Sequence, residues 1–303
     1  MKLCLFSVSY AGLWGQQSLD IEGFIAKAAS LGYEQVMLMG KRPHLAPLDA
    51  TPEWLARIRG ALKRAKLTCP IIGGYTDFSG FAAGEVPSVE MQILYVENLA
   101  RIAAELAERP VVRIFTSYET QPMRLAWDRT VACVQECCER AAAFGATIAV
   151  QNHHDVAVHT DALLEFLASV DRPNCKLGFD AWSPAARGED LYAAAKKAAP
   201  HTAIATNADY VRLPTFKYNP DRIDYQPAGA FLRAVPFGEG FIDYPAYWRG
   251  LADGGFHGVM AYEMCSPMRG GGGEANLDAC ALAYVVWMKR HATSVTGTKT
   301  ERS

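Results

Sequence analysis

Short apolar runs alternate with longer amphipathic segments along the whole chain. The short runs are rich in β-branched and apolar residues, whereas the longer segments repeat their apolar positions at helical spacing. The short runs predict eight strands, at residues 3–10, 35–40, 69–75, 111–117, 147–153, 176–182, 202–210 and 257–264. The longer segments predict eight helices, at residues 21–32, 51–66, 88–107, 125–145, 160–170, 190–199, 244–255 and 275–291. The pattern therefore predicts eight consecutive strand–helix units.

The predicted strands are nearly continuous apolar runs, which is typical of parallel strands that helices cover. Gly32, Gly145 and Gly255 each stand between a helix and the next strand, where a left-handed backbone commonly ends a helix. Eight such units in 303 residues predict a single-domain (β/α)8 TIM barrel of the α/β class. A doubly wound open sheet is the alternative, although such sheets usually have fewer strands and no GxGxxG follows the first strand.

Two segments depart from the repeat. Residues 211–243 separate the seventh strand from the seventh helix and are rich in Pro, Tyr and Arg, so we expect a long βα loop that serves as a lid or a binding loop. The last residues, 293–303, are polar, and we expect a disordered tail after a barrel domain of residues 1–292.

Composition and charge narrow the range of functions. Half of the residues are hydrophobic, enough for a large core, and the formal net charge is −2. A chain without excess positive charge is poorly suited to nucleic acid, and no apolar run is long enough to span a membrane. We therefore expect a cytoplasmic protein. The eight cysteines form no CxxC pair, which disfavours a zinc or disulfide framework.

Polar side chains stand at the predicted carboxyl ends of strands five to eight, where a TIM barrel places its active site. Asp180 and Glu263 are acids within apolar strands, and burying either acid alone is costly. Each acid taken singly could cap a turn or form a local salt bridge. The two acids together, with amide and imidazole neighbours, predict a divalent cation site suited to Mn²⁺, Mg²⁺ or Zn²⁺.

A histidine pair follows the fifth strand. If strand alternation persists, Gln151 and His153 face the barrel axis, which makes His153 the better candidate for a catalytic base and His154 the lesser one. A polar turn is the alternative interpretation of this pair.

Other residues at the same rim are candidates for substrate binding. Lys41 could bind an anionic group or be a solvated loop charge, and the glycines at 270–273 could cradle an anion or form a flexible lid. The predicted substrate-binding residues are Lys41, His44, Arg113, Trp182 and Arg269.

At these positions the sequence resembles the xylose isomerase-like barrel superfamily of sugar isomerases and epimerases. The resemblance spans residues 1–292 and rests on the segments IAVQNHHD, NCKLGFDAW, TNADY and GVMAYEM. It implies one divalent ion, most often Mn²⁺ with Mg²⁺, Co²⁺ or Zn²⁺ as alternatives, held by Glu, Asp, His and Glu from strands five to eight. By position, Asp180 and Glu263 match this set, Gln151 replaces the first Glu, and Thr206 or Asn207 replaces the His.

These replacements change the expected mechanism. Gln151 cannot accept a proton, so an epimerisation with one carboxylate on each face of the substrate is disfavoured. We expect metal-assisted proton removal α to a carbonyl of a sugar or keto-sugar, with Glu263 or His153 as the base, giving isomerisation or epimerisation. His153 could instead supply the missing histidine ligand.

Three alternatives stay open. The barrel subunit of C-glycoside deglycosidases resembles the same superfamily, and it implies a carbon–carbon or carbon–oxygen lyase that acts on a 3-keto sugar by β-elimination, beside a small β-rich partner subunit. A non-catalytic sugar-binding relative is the second alternative. A repair endonuclease is the third, and the net charge of −2 counts against it. A homo-oligomer is also compatible with the sequence.

Overall fold

A computed structural model describes residues 2–79, 86–118 and 123–295 of the chain. Within these residues, eight parallel strands pair in chain order and close into a barrel, with the last strand hydrogen-bonded to the first. The barrel strands are β1 (Leu3–Phe6), β2 (Gln35–Met39), β3 (Thr68–Gly73), β4 (Val111–Ile114), β5 (Thr147–Gln151), β6 (Cys175–Asp180), β7 (Thr202–Asn207) and β10 (Val259–Tyr262).

Helices surround the barrel. They are α1 (Ile21–Ser30), α2 (Pro52–Ala65), α3 (Ser88–Leu106), α4 (Met123–Ala142), α5 (Thr160–Val170), α6 (Trp182–Arg187), α7 (Leu191–Ala198), α8 (Tyr244–Asp253) and α9 (Glu274–Val295). Among the described residues, five of these helices begin at a side chain that accepts a first-turn backbone N–H, namely Asp20, Thr51, His159, Asp190 and Asp243. In the described part of the chain, no helix combines the length and the apolar character that crossing a membrane requires.

The predicted (β/α)8 barrel is confirmed, and each predicted strand and helix has an observed counterpart. The first strand is shorter than predicted, because residues 7–10 turn into a 3-10 helix. The short helix α6 was not predicted. The last helix continues to Val295, three residues into the predicted tail, and residues 296–303 lie outside the described part.

The long connection after β7 folds as a β-hairpin rather than as an irregular loop. Its strands are β8 (Asp209–Asn219) and β9 (Asp224–Val235), which pair antiparallel and are separate from the barrel sheet. The tyrosines and phenylalanines of this segment are residues with high strand propensity. The segment therefore has its own secondary structure, which the strand–helix repeat gave no reason to expect.

Strand alternation divides the apolar residues into two layers. Side chains on the outer face of the strands pack under the helices in a large core. A smaller cluster fills the barrel interior with inward-facing residues such as Phe6, Met37, Ile71, Ala149 and Ile204. The polar site described below stands above this inner cluster, at the carboxyl ends of the strands.

A buried arginine occupies the barrel interior because neighbouring strands leave room for it. Arg113 of β4 is 1% exposed. A Cβ atom added to Gly73 would lie 3.1 Å from Arg113 Nη2 and only 2.7 Å from Phe6 Cζ. Gly178 faces the same side chain, since its added Cβ would lie 3.4 Å from Arg113 Cγ. The glycine on β3 is thus required by the packing around the guanidinium.

Replacing Gly73 by Ala should therefore destabilise the protein by about 1–3 kcal/mol, because the barrel interior cannot take the extra methyl without strain. Gly60→Ala is the matched control. Gly60 lies within α2, and its nearest neighbour would be the end of the flexible Arg64 side chain at 3.3 Å. We expect the control to be neutral or stabilising by up to about 1 kcal/mol. Denaturant unfolding measures both changes, and equal effects would contradict this packing argument.

Candidate active site

A buried carboxylate organises the carboxyl end of the barrel. Asp180 ends β6 and is 4% exposed. Its Oδ1 accepts the backbone N–H of Trp182 at 2.7 Å, and its Oδ2 accepts Gln151 Nε2 at 3.0 Å and His153 Nδ1 at 3.1 Å. Three donors thus satisfy a charge that would be costly to bury alone.

The hydrogen bond to Asp180 fixes the orientation and tautomer of His153. A carboxylate only accepts, so the proton of a neutral His153 ring lies on Nδ1 and its Nε2 carries a free electron pair. The side chain is 24% exposed, so the ring reaches the surface of the barrel mouth. His153 therefore has the geometry of a general base whose basic atom faces away from the carboxylate.

Asn152 holds the ends of β5 and β6 together on the opposite side of the strand. Its Oδ1 accepts the backbone N–H of Asp180 at 2.6 Å, and its Nδ2 donates to the Asp180 carbonyl at 2.9 Å. Gln151 and His153 thus contact the Asp180 carboxylate, and Asn152 between them contacts the Asp180 backbone.

Phe115 is the centre of an aromatic wall beside this carboxylate. Its ring centroid lies 5.5 Å from that of His153, 4.9 Å from His154 and 5.7 Å from Tyr118. The Arg113 guanidinium carbon lies 4.2 Å from the same ring. Sequence analysis missed Phe115, although its place two residues after the inward-facing Arg113 could have indicated it.

The two histidines differ in their surroundings. The His154 ring lies 4.4 Å from that of His153 and 4.2 Å from that of Tyr118. Burial, together with the nearby His153 and Arg113, lowers the pKa of His154 to about 4. Its imidazole is therefore neutral near pH 7 and a weaker base than an ordinary histidine. The catalytic role of His154 stays a prediction, secondary to that of His153.

Two cationic side chains line the β2–β4 side of the site. Arg113 Nη1 donates to the Gly74 carbonyl at 2.8 Å, and its buried Nε has no hydrogen-bond partner among the described residues. Lys41 Nζ lies 4.0 Å from the Tyr75 ring centroid. Burial and the charge of Arg113 lower the pKa of Lys41. Their predicted role in substrate binding is compatible with this placement.

Glu263 is a second buried acid at the same end of the barrel. It follows β10, is 6% exposed, and its backbone N–H donates to the Asn207 carbonyl at 3.0 Å. Burial and the negative charge of Asp180 raise the pKa of Glu263. The Cys265 thiol hydrogen-bonds to this carboxyl, and the pKa of that thiol is raised by its own burial and by Glu263. The site thus shifts Glu263 toward the protonated form relative to an exposed glutamate.

Two of the predicted site residues, Asn207 and His44, form their hydrogen bonds away from the barrel mouth, and their predicted roles stay predictions. Asn207 turns away from the barrel interior: its Nδ2 lies within 3.1–3.4 Å of the Ala205 and Ala261 carbonyls and the Tyr284 hydroxyl, and its Oδ1 accepts Trp248 Nε1 at 3.2 Å. Its alternative, Thr206, is in register with Asp180 and faces the interior. Strand alternation after Asp180 therefore selects Thr206, not Asn207, as the strand-seven residue of the site.

The His44 side chain is likewise buried, and it faces the first helix rather than the barrel mouth. It is 2% exposed, its Nε2 donates to the Leu19 carbonyl at 3.0 Å, and its ring centroid lies 5.9 Å from that of Phe24 in α1. Burial lowers the pKa of His44. This histidine packs under the first helix, because the chain turns back toward α1 after β2.

Trp182 lies beside His153, whereas Arg269 does not. The Trp182 ring centroid is 4.9 Å from that of His153, and its buried Nε1 has no hydrogen-bond partner among the described residues. Arg269 forms an ion pair with Glu239 on the loop after the hairpin. No contact in the described part joins Arg269 to Asp180, so its predicted role stays a prediction.

The glycine-rich segment after β10 is a packed turn. A Cβ atom added to Gly272 would lie 2.0 Å from the Gly15 carbonyl oxygen, and the Gly272 carbonyl accepts the backbone N–H of Gln17 at 2.7 Å. Asn276 Nδ2 donates to the Gly271 carbonyl at 2.7 Å. The glycine at 272 thus allows the loops after β1 and β10 to touch, which explains it without an anion site or a flexible lid.

The donors do not fit the divalent cation that the sequence predicts. The Asp180 oxygens already accept three hydrogen bonds, and Gln151 presents an N–H rather than an oxygen to this carboxylate. Asn207 faces outward, and Thr206 offers only a hydroxyl. Among the described residues, no group of three or more His, Cys, Asp and Glu side chains is placed to hold a metal ion. Protein divalent-cation sites of the predicted kind need several such oxygen or nitrogen ligands.

Purified protein should accordingly carry only substoichiometric divalent metal. Because a ligand that binds the native state raises its stability, neither Mn²⁺ nor a chelator should move the thermal unfolding midpoint. Elemental analysis and thermal unfolding with and without Mn²⁺ measure the two quantities. One tightly bound ion per chain, or a rise of several degrees with Mn²⁺, would show that the donors rearrange into a metal site.

Comparison with known proteins identifies the family. Residues 25–282 match the model of the xylose isomerase-like TIM barrel family, and the chain therefore belongs to this family. No curated protein is significantly similar to the chain in sequence.

Solved structures share the fold at low sequence identity. D-psicose 3-epimerase from Clostridium cellulolyticum H10 is 17% identical with a TM-score of 0.73, and the alignment covers 96% of this chain and 99% of that one. A probable 3-DHS dehydratase, AsbF, from Bacillus anthracis is 20% identical with a TM-score of 0.71 over 95% and 99% of the two chains. An L-ribulose 3-epimerase is 15% identical with a TM-score of 0.72 over 99% of both chains. At these identities the similarity establishes the fold alone.

Proposed function

We propose that this chain is an enzyme that removes a proton α to a carbonyl in a sugar or keto-sugar. The observation that carries the proposal is the hydrogen bond from His153 Nδ1 to the buried Asp180 carboxylate. This bond holds a basic Nε2 at the mouth of a barrel whose carboxyl end is the usual place for catalysis. Structural neighbours named as sugar epimerases add support at the level of the fold.

In the proposed reaction, His153 Nε2 takes the proton from the carbon next to the carbonyl. The C–H electron pair forms the new C=C bond, and the carbonyl oxygen receives a proton from Glu263, whose burial favours the protonated carboxyl. His153 then returns a proton to the neighbouring carbon while the Glu263 carboxylate takes the proton of the hydroxyl on the original carbon, which gives the isomer. The epimer forms when the intermediate turns its other face to His153, which protonates the original carbon while Glu263 takes back the proton of the former carbonyl oxygen. Asp180 is a positioning residue that stabilises the imidazolium formed in the first step.

Unsatisfied polar atoms around the site support a substrate rich in hydroxyl groups. Arg113 Nε, Trp182 Nε1 and Thr206 Oγ1 are buried without hydrogen-bond partners among the described residues. Leaving buried polar groups unpaired costs about 1–3 kcal/mol each, so a ligand that pairs with them gains affinity. The hydroxyl and carbonyl oxygens of a sugar have the required chemistry, and the aromatic wall around Phe115 suits the C–H face of a sugar ring.

Elimination is the second candidate reaction, and the single oriented base favours it. The enol can return its O–H proton to the Glu263 carboxylate as the carbonyl re-forms and the C=C electron pair moves to the bond between the α- and β-carbons. The substituent on the β-carbon then leaves with the electron pair of its bond and takes the proton held by His153. A 3-keto C-glycoside, whose leaving group is aromatic, is the substrate class for this reaction. A probable dehydratase among the structural neighbours is compatible with such chemistry. Isomerisation and elimination share the first step and therefore the same base.

Solvent exchange tests the shared step directly. In D₂O, the protein should introduce deuterium at the carbon next to the carbonyl of a ketose or 3-keto glycoside, which NMR detects before any net conversion. His153→Gln should lower this exchange by roughly 10²–10⁴-fold, the range for loss of a general base. Asp180→Asn should also lower it, because Nδ1 would lose its carboxylate partner.

His257→Gln is the matched control, since His257 precedes β10 at the opposite end of the barrel from the site. We expect the control to exchange deuterium at the rate of the parent protein. Full exchange by His153→Gln would remove His153 from the role of base.

A further inference from the structure

The hairpin of β8 and β9 is held at its base but extends away from the barrel. Asp209 Oδ2 accepts the backbone N–H groups of Gly238 at 2.9 Å and Gly240 at 2.8 Å. Arg212 stacks on the Phe241 ring at 4.2 Å and donates to the carbonyls at the end of α6. Beyond these anchors, the residues from 212 to 232 are mostly exposed. The hairpin is therefore an arm fixed at one end.

One face of the arm is apolar and uncharged beyond Arg212. Antiparallel pairs place their side chains on the same face, and Pro214 pairs with Ala230, Phe216 with Pro227 and Tyr218 with Tyr225. The Tyr218 and Tyr225 rings are 5.3 Å apart, as expected for such a pair. We call this set of six residues the aromatic face.

Beyond the exposed pair Leu213–Phe231, the opposite face of the arm is polar. Lys217 pairs with Gln226 and Asn219 with Asp224, and Asn219 Nδ2 donates to Gln226 Oε1 at 3.3 Å. The outer arm is therefore amphipathic, like a sheet that covers a core on one side only. Here, however, the apolar side is the exposed one: Phe216, Tyr218 and Tyr225 are 57%, 47% and 65% exposed.

A two-stranded hairpin without a packed face is at best marginally stable in water. Strands of 11 and 12 residues with three exposed rings on one face therefore need a partner surface. Pro214 and Pro227 each remove a backbone N–H from the arm and disfavour edge-to-edge addition of a further strand. The partner is thus expected on the aromatic face rather than along an edge.

We propose that the aromatic face docks on the same face of a second copy of this chain about a twofold axis. An uncharged face can pack on its own copy without like-charge repulsion. The formal charges of the arm tip cancel, because it carries two acids, Asp221 and Asp224, and two bases, Lys217 and Arg222. At about 200 Å² per ring, the aromatic face with its prolines exposes roughly 500 Å² per copy. Two copies would bury roughly 1,000 Å² in total, the size at which specific interfaces begin.

The mass in solution tests this assignment. Sedimentation velocity over a range of concentrations should give twice the 33.1 kDa chain mass for the parent protein. Phe216→Glu with Tyr225→Glu should shift the species to the single-chain mass. The matched control, Thr215→Glu with Gln226→Glu, adds the same charge to the polar face and should remain a dimer. Circular dichroism checks that each variant is folded.

Crosslinking provides a second measurement that does not depend on disrupting the arm. Under mild oxidation, Tyr218→Cys should form a disulfide-linked dimer, whereas Lys217→Cys on the polar face should not. A parent protein that stays monomeric would overturn the proposal. A dimer that survives Phe216→Glu with Tyr225→Glu, or one that the polar-face control dissociates equally, would also overturn it.

Discussion

The burial of the Asp180 carboxylate is the constraint on which the site depends. A charge that is 4% exposed must be satisfied by donors, and three surrounding groups supply them: Gln151, His153 and the start of α6 at Trp182. Satisfying this charge fixes the tautomer of His153. Separately, Asn152 joins β5 to β6 through two hydrogen bonds with the Asp180 backbone. The same three bonds leave Asp180 poorly placed to bind a cation, so one interaction explains both the proposed base and the poor fit to a metal.

The barrel could be predicted from the sequence because each strand–helix unit repeats the same local pattern. Continuous apolar runs and helix-capping residues such as Asp20 and Thr51 specify elements almost independently of the rest of the chain. The hairpin could not be predicted in this way. Pro214, Phe216 and Tyr218 of β8 alternate with polar residues, which is a strand signal. The prolines in both strands, however, disfavour a strand assignment and favour the interpretation as a loop.

The site was predicted only as far as strand alternation holds. Strand alternation placed Gln151, His153 and Asp180 together at the barrel mouth, where the structure also places them. Alternation also selects Thr206, whereas Asn207 forms hydrogen bonds with Trp248 and the Tyr284 hydroxyl. His44 lies in a loop, where alternation gives no guide, and it donates to the Leu19 carbonyl. The hydrogen bonds of a side chain, rather than its type, decide whether it can be a ligand.

The tautomer of His153 tests the central claim most directly. Long-range ¹H–¹⁵N correlation spectra, recorded at alkaline pH where the imidazole is neutral, distinguish a protonated Nδ1 from a protonated Nε2. We expect the His153 ring to carry its proton on Nδ1 in the parent protein, and to lose this preference when Asp180 is replaced by Asn. A ring protonated on Nε2 in the parent protein would mean that Asp180 does not orient it, and the account of the site would be contradicted.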